Sequence, residues 1–526
     1  MYRVLITDPL SDQGIERLIE ADDVEVVKKT GLNPEELLAE IEHADALLVR
    51  SQTKVTAEVI QAGKKLKAIG RAGVGVDNID VAAATSRGVV VVNAPDGNTI
   101  STAEHAFAML IALARNIPQA YRSTINGEWK RKQFVGVELH KKTLGIVGLG
   151  RIGTEVAKRA HAFGMNVVAF DPYLTAERAK KIGVTQATLD ELYAQADFIT
   201  VHTPLTKETR HLINREAFEK MKTGVRIVNC ARGGIIDEHA LLEAIQAGKV
   251  AGAALDVFEQ EPPGKHPLFD LPQVIVTPHL GASTVEAQEN VAIDVSEEIL
   301  HILRGEPFKN AVNLPSIPVE LQEKLAPYQT LAESLGQFIA QAAPGALHAL
   351  TVTYSGELTE LDTAPLTRMI IKGALSYHLS DVNYVNAPFL AQQRGVNITE
   401  QKTSQTRGFT NLVTVEITTD QAQRKVSGTL LNGLGPRIVK VDEYPIDVVP
   451  EGHLLLIQHL DQPGVIGRVG TLLGTRDVNI ASMQVGRKQI GGQAIMMLTV
   501  DKPVSPDILA QLAQLDDVQS VREIDL

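Results

Sequence analysis

The sequence predicts an α/β protein of several domains. Three observations lead there. Short apolar strands alternate with helical stretches from the N-terminus to about residue 304. A glycine-rich turn sits between a strand and a helix at Gly148–Gly153. The last seventy or so residues run strand, helix, strand, strand, helix, strand. Alternation of strand and helix argues for βαβ units and parallel sheets, and the terminal order is that of a split, ferredoxin-like unit. One hydrophobic core stops growing near about 250–300 residues, so a chain of 526 residues divides into roughly three or four domains.

In order along the chain, the first series has strands at Val4–Ile6, Val24–Val27, Ala46–Val49, Lys67–Ile69 and Val89–Val92, with helices such as Pro34–Ile41 and Ala57–Ala62. It carries no glycine-rich phosphate loop. Ser101–Arg115 reads as a helix whose apolar face is broader than a surface helix needs, which suits burial between domains or subunits. A second series begins at Lys142, with strands at Leu144–Val147, Val167–Phe170, Phe198–Val201, Arg226–Asn229, Ala251–Leu255 and Val274–Val276. A helix over Thr284–Leu303 follows, stopped by Arg304-Gly305. The prolines of Asn313–Pro318 mark a boundary. Val319–Glu451 is a mixed α and β stretch with no catalytic spacing, and His453–Leu526 is the βαββαβ unit.

Composition removes whole function classes. Lysine plus arginine number 51 against 63 acidic residues, a net charge of −12. That disfavours general nucleic-acid or anionic-membrane binding and leaves room for a local basic pocket. With Cys230 alone, no disulfide can form within the chain, which points to a reducing, cytoplasmic setting. MYRVLITDPL lacks the basic and apolar regions of a signal peptide. The longest apolar run, Ala106 to Ala114, falls short of the ~20 residues a membrane span needs.

Gly148-Leu149-Gly150-Arg151-Ile152-Gly153 follows the strand Leu144–Val147 and opens a helix. The first glycine allows the tight turn, the second lets a pyrophosphate approach, and the third brings the helix close to the strand. The helix N-terminus offers free N–H groups to phosphate. Asp171 ends the next strand, where an acid meets the ribose 2′-hydroxyl, so NAD is favoured over NADP. The bland alternative is a turn at Asp171-Pro172.

Three charged residues then follow successive strands of the second series: Arg232 in NCARGG, Glu261 in DVFEQEPP and His279 in TPHLG. In open α/β sheets ligands bind beyond the carboxyl ends of the strands. Oxidation of a 2-hydroxy acid needs a carboxylate anchor, a base for the hydroxyl proton and a hydride acceptor. Arginine supplies the first and histidine the second, and a glutamate orients the histidine. Taken singly, Arg232 also suits an ion pair, His279 a core histidine and Glu261 a solvated acid. Cys230 reads as a small buried residue, and no metal is expected.

On GLGRIG, CARGG, DVFEQEPP and PHLGAST, together with GRAGVGVDNID and NAPDGNT, the sequence resembles the D-isomer-specific 2-hydroxyacid dehydrogenases. KGAL at Lys372–Leu375, VNYVNAP at Val382–Pro388 and HLDQPGVIGRVGTLLG at His459–Gly474 are similar to the intervening and ACT domains of its long-form, phosphoglycerate-oxidising branch. The resemblance implies a discontinuous, flavodoxin-like substrate domain at residues 1–96 and 285–316 and a Rossmann NAD-binding domain at 97–284. An α+β intervening domain would follow at 317–451 and a ferredoxin-like ACT regulatory domain at 452–526. It implies Arg232, Glu261 and His279 as catalytic, and cofactor contacts from Gly148, Gly150, Arg151, Ile152, Gly153, Asp171, Thr203, Pro204, Cys230, Ala231, Asp256 and Gly281. Arg50, Arg71, Asn98 and Arg131 would bind substrate, though each arginine also suits an ordinary surface charge. The reaction implied is oxidation of 3-phosphoglycerate with NAD, the first step towards L-serine, in a homotetramer. L-serine is the effector implied for His459, Asp461 and Asn479. His459 stands where regulated relatives carry an aromatic residue, and Asp461 alternatively caps the following helix. The middle domain would take an anion on residues such as Lys372 and Arg437. The competing readings are a dehydrogenase for another small 2-hydroxy acid, 2-hydroxyglutarate included, and a non-enzymatic sensor of NAD or amino acids.

Overall fold

The computed structural model describes residues 1–315, 317–406 and 408–526. Four sheets organise them. The first has five parallel strands in the order Val24–Lys28, Tyr2–Ile6, Ala46–Val49, Ala68–Arg71, Val90–Asn93. Ala46–Val49 is buried at every position because helices cover both faces, which is why it reads as an unbroken apolar run. Leu37, Ile41, Val59 and Ile60 pack on one face. Val291, Val295 and Ile299, from the helix Val285–Arg304, pack on the other. A Cβ on Gly70 would lie 2.4 Å from Val295 Cγ1, so the helix sits tight against the strand. The chain therefore returns to its first sheet after building the second, and Asn313 Oδ1 accepts from the Val91 N–H at 2.9 Å.

The second sheet has seven parallel strands, ordered Val274–Val276, Val250–Leu255, Val225–Asn229, Phe198–Val201, Thr143–Val147, Asn166–Phe170, Thr185–Gln186. The last was not expected: two exposed residues at an edge carry no apolar pattern. The helix Thr99–Arg115 lays Ala103, Ala106, Phe107 and Leu110 into this sheet's core. Its broad apolar face is thereby largely accounted for inside one chain.

The third sheet has six strands: Asn397–Thr403, Leu347–Gly356, Asn411–Thr419, Gln423–Leu431, Gly435–Val441, Tyr444–Val448. Its first pair is parallel and the rest antiparallel. The helices Val319–Ala342 and Ala364–Ser376 cross on one face, close enough that a Cβ on Gly336 would lie 2.2 Å from Ile370 O. The expected boundary at residues 316–317 falls on Ser316, outside the described residues.

The fourth sheet is ordered Ile480–Arg487, Gln493–Val500, His453–Leu460, Val518–Asp525, all antiparallel, with Val465–Thr475 and Pro506–Ala513 on one face. The other face packs against the third sheet's domain. Its Leu454, Leu456, Ile495, Met497 and Ile524 join the core of the third sheet, and the Asp525 N–H donates to Gln341 Oε1 at 2.9 Å. No helix among the described residues is long and apolar enough to cross a membrane.

Candidate active site

The strand Thr143–Val147 runs into Gly148, whose φ of 93° suits glycine. A Cβ on Gly153 would lie 2.2 Å from Gly148 O, which locks turn to helix, whereas one on Gly150 meets nothing within 4 Å. That open space is what a closely approaching pyrophosphate requires. Asp171 Oδ2 accepts from the Leu149 N–H and Oδ1 from the Tyr173 N–H, both at 2.8 Å. The acid thus makes a local turn and also sits against the glycine loop. Thr203 Oγ1 and His202 Nδ1 are buried without partners beside Gly148. Burial pushes the His202 imidazole down to about 4, so it is neutral near pH 7. Arg151, at the helix start with Ile152 behind it, pairs with Asp96 at 2.5 Å. Pro204 O accepts from Thr209 Oγ1 at 2.6 Å. Glycine cradle, orphan donors and acid together fit a dinucleotide.

After the strand Val225–Asn229, the Ala231 N–H donates to Asn229 Oδ1 at 3.0 Å and Asn229 Nδ2 donates to Arg232 O at 2.9 Å. This turn fixes the arginine. Cys230 is buried, and burial and Asp256 push its thiol well up, which suits packing and not nucleophilic attack. Arg232 Nε donates to Asp77 Oδ2 at 3.1 Å. Asp77 belongs to the loop that follows Ala68–Arg71, so Arg232 spans the gap between the first two sheets. Arg71 is largely enclosed. Its pKa is pushed down to about 10, first by burial and then by Arg232 and Arg50, and it remains a cation near neutral pH. Its Nε is buried without a partner, as are Asn98 Oδ1 and Thr99 Oγ1 at the start of the helix Thr99–Arg115. Arg50 is held by its backbone, its N–H donating to Asp8 Oδ2 at 2.6 Å and its carbonyl accepting from Asn78 Nδ2 at 2.7 Å. Arg131 lies in the exposed turn Arg131–Phe134.

His279 Nδ1 lies 2.7 Å from Glu261 Oε2. Glu261 Oε1 accepts from the Phe258 N–H at 3.1 Å. Burial alone would raise the Glu261 pKa, but the bonds from His279 and Phe258 outweigh it and hold the carboxylate ionised. His279 takes a positive φ of 55°, uncommon for a residue with a Cβ. Asp256 holds it there. The His279 N–H donates to Asp256 O at 2.9 Å, the Leu280 N–H to Oδ1 at 2.7 Å and the Gly281 N–H to Oδ2 at 2.9 Å. Asp256 is fully buried, and Thr277 Oγ1 donates to Oδ1 at 2.6 Å. His105 Nε2 lies 3.2 Å from the same oxygen. His105, Cys230 and Asp256 bring three potential metal donors within 4.8 Å of one another, yet hydrogen bonds already engage both Asp256 oxygens.

Sequence reasoning missed Asp77, His105 and a clamp behind Glu261. Glu238 Oε1 accepts from the Glu259 N–H at 2.7 Å, and Glu238 Oε2 lies 2.9 Å from His266 Nε2. Nothing in their spacing announces these pairings.

In the fourth sheet, Asp461 Oδ2 accepts from Arg487 Nη1 at 2.9 Å and from the Gly491 N–H at 3.2 Å. It does not cap the helix Val465–Thr475, whose cap position is Gly464 with no side-chain bond. Asn479 Nδ2 donates to Asp501 Oδ2 at 2.7 Å, and no bond joins Asn479 to Asp461. His459 is buried, with Nε2 unpartnered. On the third sheet, Lys372 pairs with Glu333 and Arg437 with Asp447, on separate elements. A cavity of about 380 Å³ lies elsewhere, lined by Thr353, Ser355, Thr414, Lys425, Ser427 and Lys440 among others.

Residues 107–281 match the family model of the D-isomer specific 2-hydroxyacid dehydrogenase NAD binding domain. Residues 324–442 match the D-3-phosphoglycerate dehydrogenase intervening domain, and 453–517 the ACT domain. The chain is 51% identical over 527 residues to D-3-phosphoglycerate dehydrogenase of Bacillus subtilis (strain 168), covering 100% of both chains. It is 49% identical over 528 residues to that of Methanocaldococcus jannaschii, again covering 100% of both. Among solved structures, D-lactate dehydrogenase from Aquifex aeolicus complexed with NAD and lactic acid is 30% identical, with a TM-score of 0.54, over 60% of this chain and 100% of that one. The TT0316 protein from Thermus thermophilus is 39% identical, with a TM-score of 0.55, over 59% of this chain and 99% of that one.

Proposed function

The chain belongs to the D-3-phosphoglycerate dehydrogenases, within the D-isomer-specific 2-hydroxyacid dehydrogenase family, and from that premise we propose how its residues divide the work. The protein is an NAD-dependent oxidoreductase that converts 3-phospho-D-glycerate to 3-phosphohydroxypyruvate. NAD, when bound, supplies the hydride acceptor. Gly148, Gly150 and Gly153 leave its pyrophosphate room, the N-terminus of Arg151–Ala162 offers N–H groups, and Asp171 receives the ribose hydroxyls. Thr203, Pro204, Cys230, Ala231, Asp256 and Gly281 line the nicotinamide end.

Arg232 grips the substrate carboxylate, for which a guanidinium fork is suited. Arg50, Arg71 and Asn98, with Arg131, contact the substrate's phosphate and carboxylate. His279 Nδ1 is taken by Glu261, which leaves Nε2 to remove the C2 hydroxyl proton. The Glu261 carboxylate then stabilises the resulting imidazolium. Two observations carry this reading: the 2.7 Å His279–Glu261 pair, and the reach of Arg232 to Asp77 after the first sheet.

The division into domains at 1–96 with 285–316, 97–284, 317–451 and 452–526 belongs to the same proposal. So do a cytoplasmic homotetramer working at the head of L-serine synthesis, and L-serine as effector on His459, Asp461 and Asn479. Activity with 3-phosphoglycerate against unphosphorylated 2-hydroxy acids, in the intact protein and in Arg71→Met, tests the assignment. The intact protein should prefer the phosphorylated acid, and Arg71→Met should lose that preference. Equal use of unphosphorylated acids by the intact protein would contradict it.

A further inference from the structure

We propose that Arg178 sets how firmly the protein discriminates between NAD and NADP, as a latent receiver for a 2′-phosphate that Asp171 holds off. The proposal rests on the reading of Asp171 as the ribose acid.

Two side chains of opposite charge grip one residue of the glycine loop. Asp171 Oδ2 accepts from the Leu149 N–H at 2.8 Å, and Arg178 Nη2 donates to the Leu149 carbonyl at 3.0 Å. Arg178 therefore reaches the same residue of the glycine loop that Asp171 holds, with no ion pair between the two. No ion pair engages Arg178 among the described residues, and the Leu149 carbonyl is its side chain's hydrogen-bond partner. Its remaining guanidinium N–H groups are free for an anion. It stands on the short helix Ala176–Ile182, which also carries Lys180 and Lys181 against Glu177, so the local field is positive apart from Asp171.

A 2′-phosphate brings about −2 charge and three acceptor oxygens. Asp171 repels it and Arg178 attracts it, so the two effects oppose at one point. Discrimination against NADP is then a difference between two terms. Removing the acid exposes the arginine's preference, and removing the arginine sharpens the acid's. In this fold an acid at the ribose suits NAD, and an arginine nearby suits the phosphorylated cofactor. Here both are present, and the acid prevails.

The test measures NADH and NADPH dissociation constants by cofactor fluorescence, with kcat/KM for NAD and NADP alongside. The variants are the intact protein, Arg178→Gln, Asp171→Ala and the double variant. Glutamine keeps a donor for the Leu149 carbonyl while losing the charge. Asp171→Ala should bind NADPH more tightly than the intact protein does. The double variant should lose about tenfold of its NADPH affinity relative to Asp171→Ala, the scale of a charge-assisted arginine–phosphate pair. NADH affinity should differ less than about threefold between those two, and Arg178→Gln alone should weaken NADPH more than NADH. Equal NADPH binding in Asp171→Ala and the double variant would overturn the proposal. So would equal losses for both cofactors, which would make Arg178 a strut for Leu149 only. The Asp171 reading fails separately, if Asp171→Ala leaves NADH binding unchanged.

Discussion

Asp256→Ala removes the residue on which the His279 turn hangs. The carboxylate accepts the Leu280 N–H at 2.7 Å and the Gly281 N–H at 2.9 Å, and Thr277 Oγ1 at 2.6 Å. Truncation strands the Gly281 donor in a fully buried place and the Leu280 donor in a partly exposed one. An unpaired buried donor costs ~1–3 kcal/mol. With the exposed donor at the low end, the pair comes to about 2–4 kcal/mol. For a unit the size of the second sheet and its helices, that corresponds to a fall in melting midpoint of roughly 5–15 °C. The functional loss comes from geometry, because His279 keeps its φ of 55° only while its neighbours are tied down. A base misplaced by about 1 Å loses on the order of 10²-fold in rate. Asp256→Asn, which keeps one acceptor oxygen, should fall between the two. Calorimetry and turnover with 3-phosphoglycerate read the two effects separately. If Asp256→Ala melts and turns over as the intact protein does, the proposed suspension of His279 from Asp256 is wrong.

Other outcomes follow from the same structure. Arg71→Met should raise KM for 3-phosphoglycerate by about 10–100-fold through loss of a charged phosphate contact, with kcat changed much less, as read by steady-state kinetics. Glu298 lies under the Lys309 N–H, and burial above all raises its pKa. Its contribution to stability is therefore present below the unfolded value near 4.5 and lost as pH rises through the higher folded value. Glu298→Gln should be more stable than the parent at pH 7 and equal to it below about pH 4, and denaturant melts at the two pH values check this. Asn383 Nδ2 donates to Gly88 O at 2.9 Å, tying the middle region to the first sheet, so Asn383→Ala should weaken that docking by about 1 kcal/mol and speed proteolysis between residues 305 and 320.

The parallel sheets were legible because strands covered on both faces read as apolar runs. Ala46–Val49 and Phe198–Val201 fall where the pattern put them. The third sheet was not, since its strands turn the polar Thr353, Ser355 and Ser427 to a cavity and break the apolar runs, while the other face packs in the core. The helix Val319–Ala342 carries Pro327 inside it, which the sequence alone counts against a helix. At the site, residue types with a chemical purpose were visible: Arg232, Glu261, His279 and Asp171. Their supports were not, because Asp77, Asp256's carboxylate bonds and the Glu238 clamp are pairings across 155, 25 and 21 positions of sequence.

The central claim is that His279, set by Glu261, moves the C2 hydroxyl proton. The most direct measurement is the rate of NADH appearance at saturating NAD and 3-phosphoglycerate for the intact protein and His279→Ala, with NADH affinity measured on both. The account predicts rapid NADH formation by the intact protein and a loss of about 10²–10⁴-fold in kcat for the variant, at nearly unchanged NADH affinity. A variant that kept the parent's kcat would contradict it.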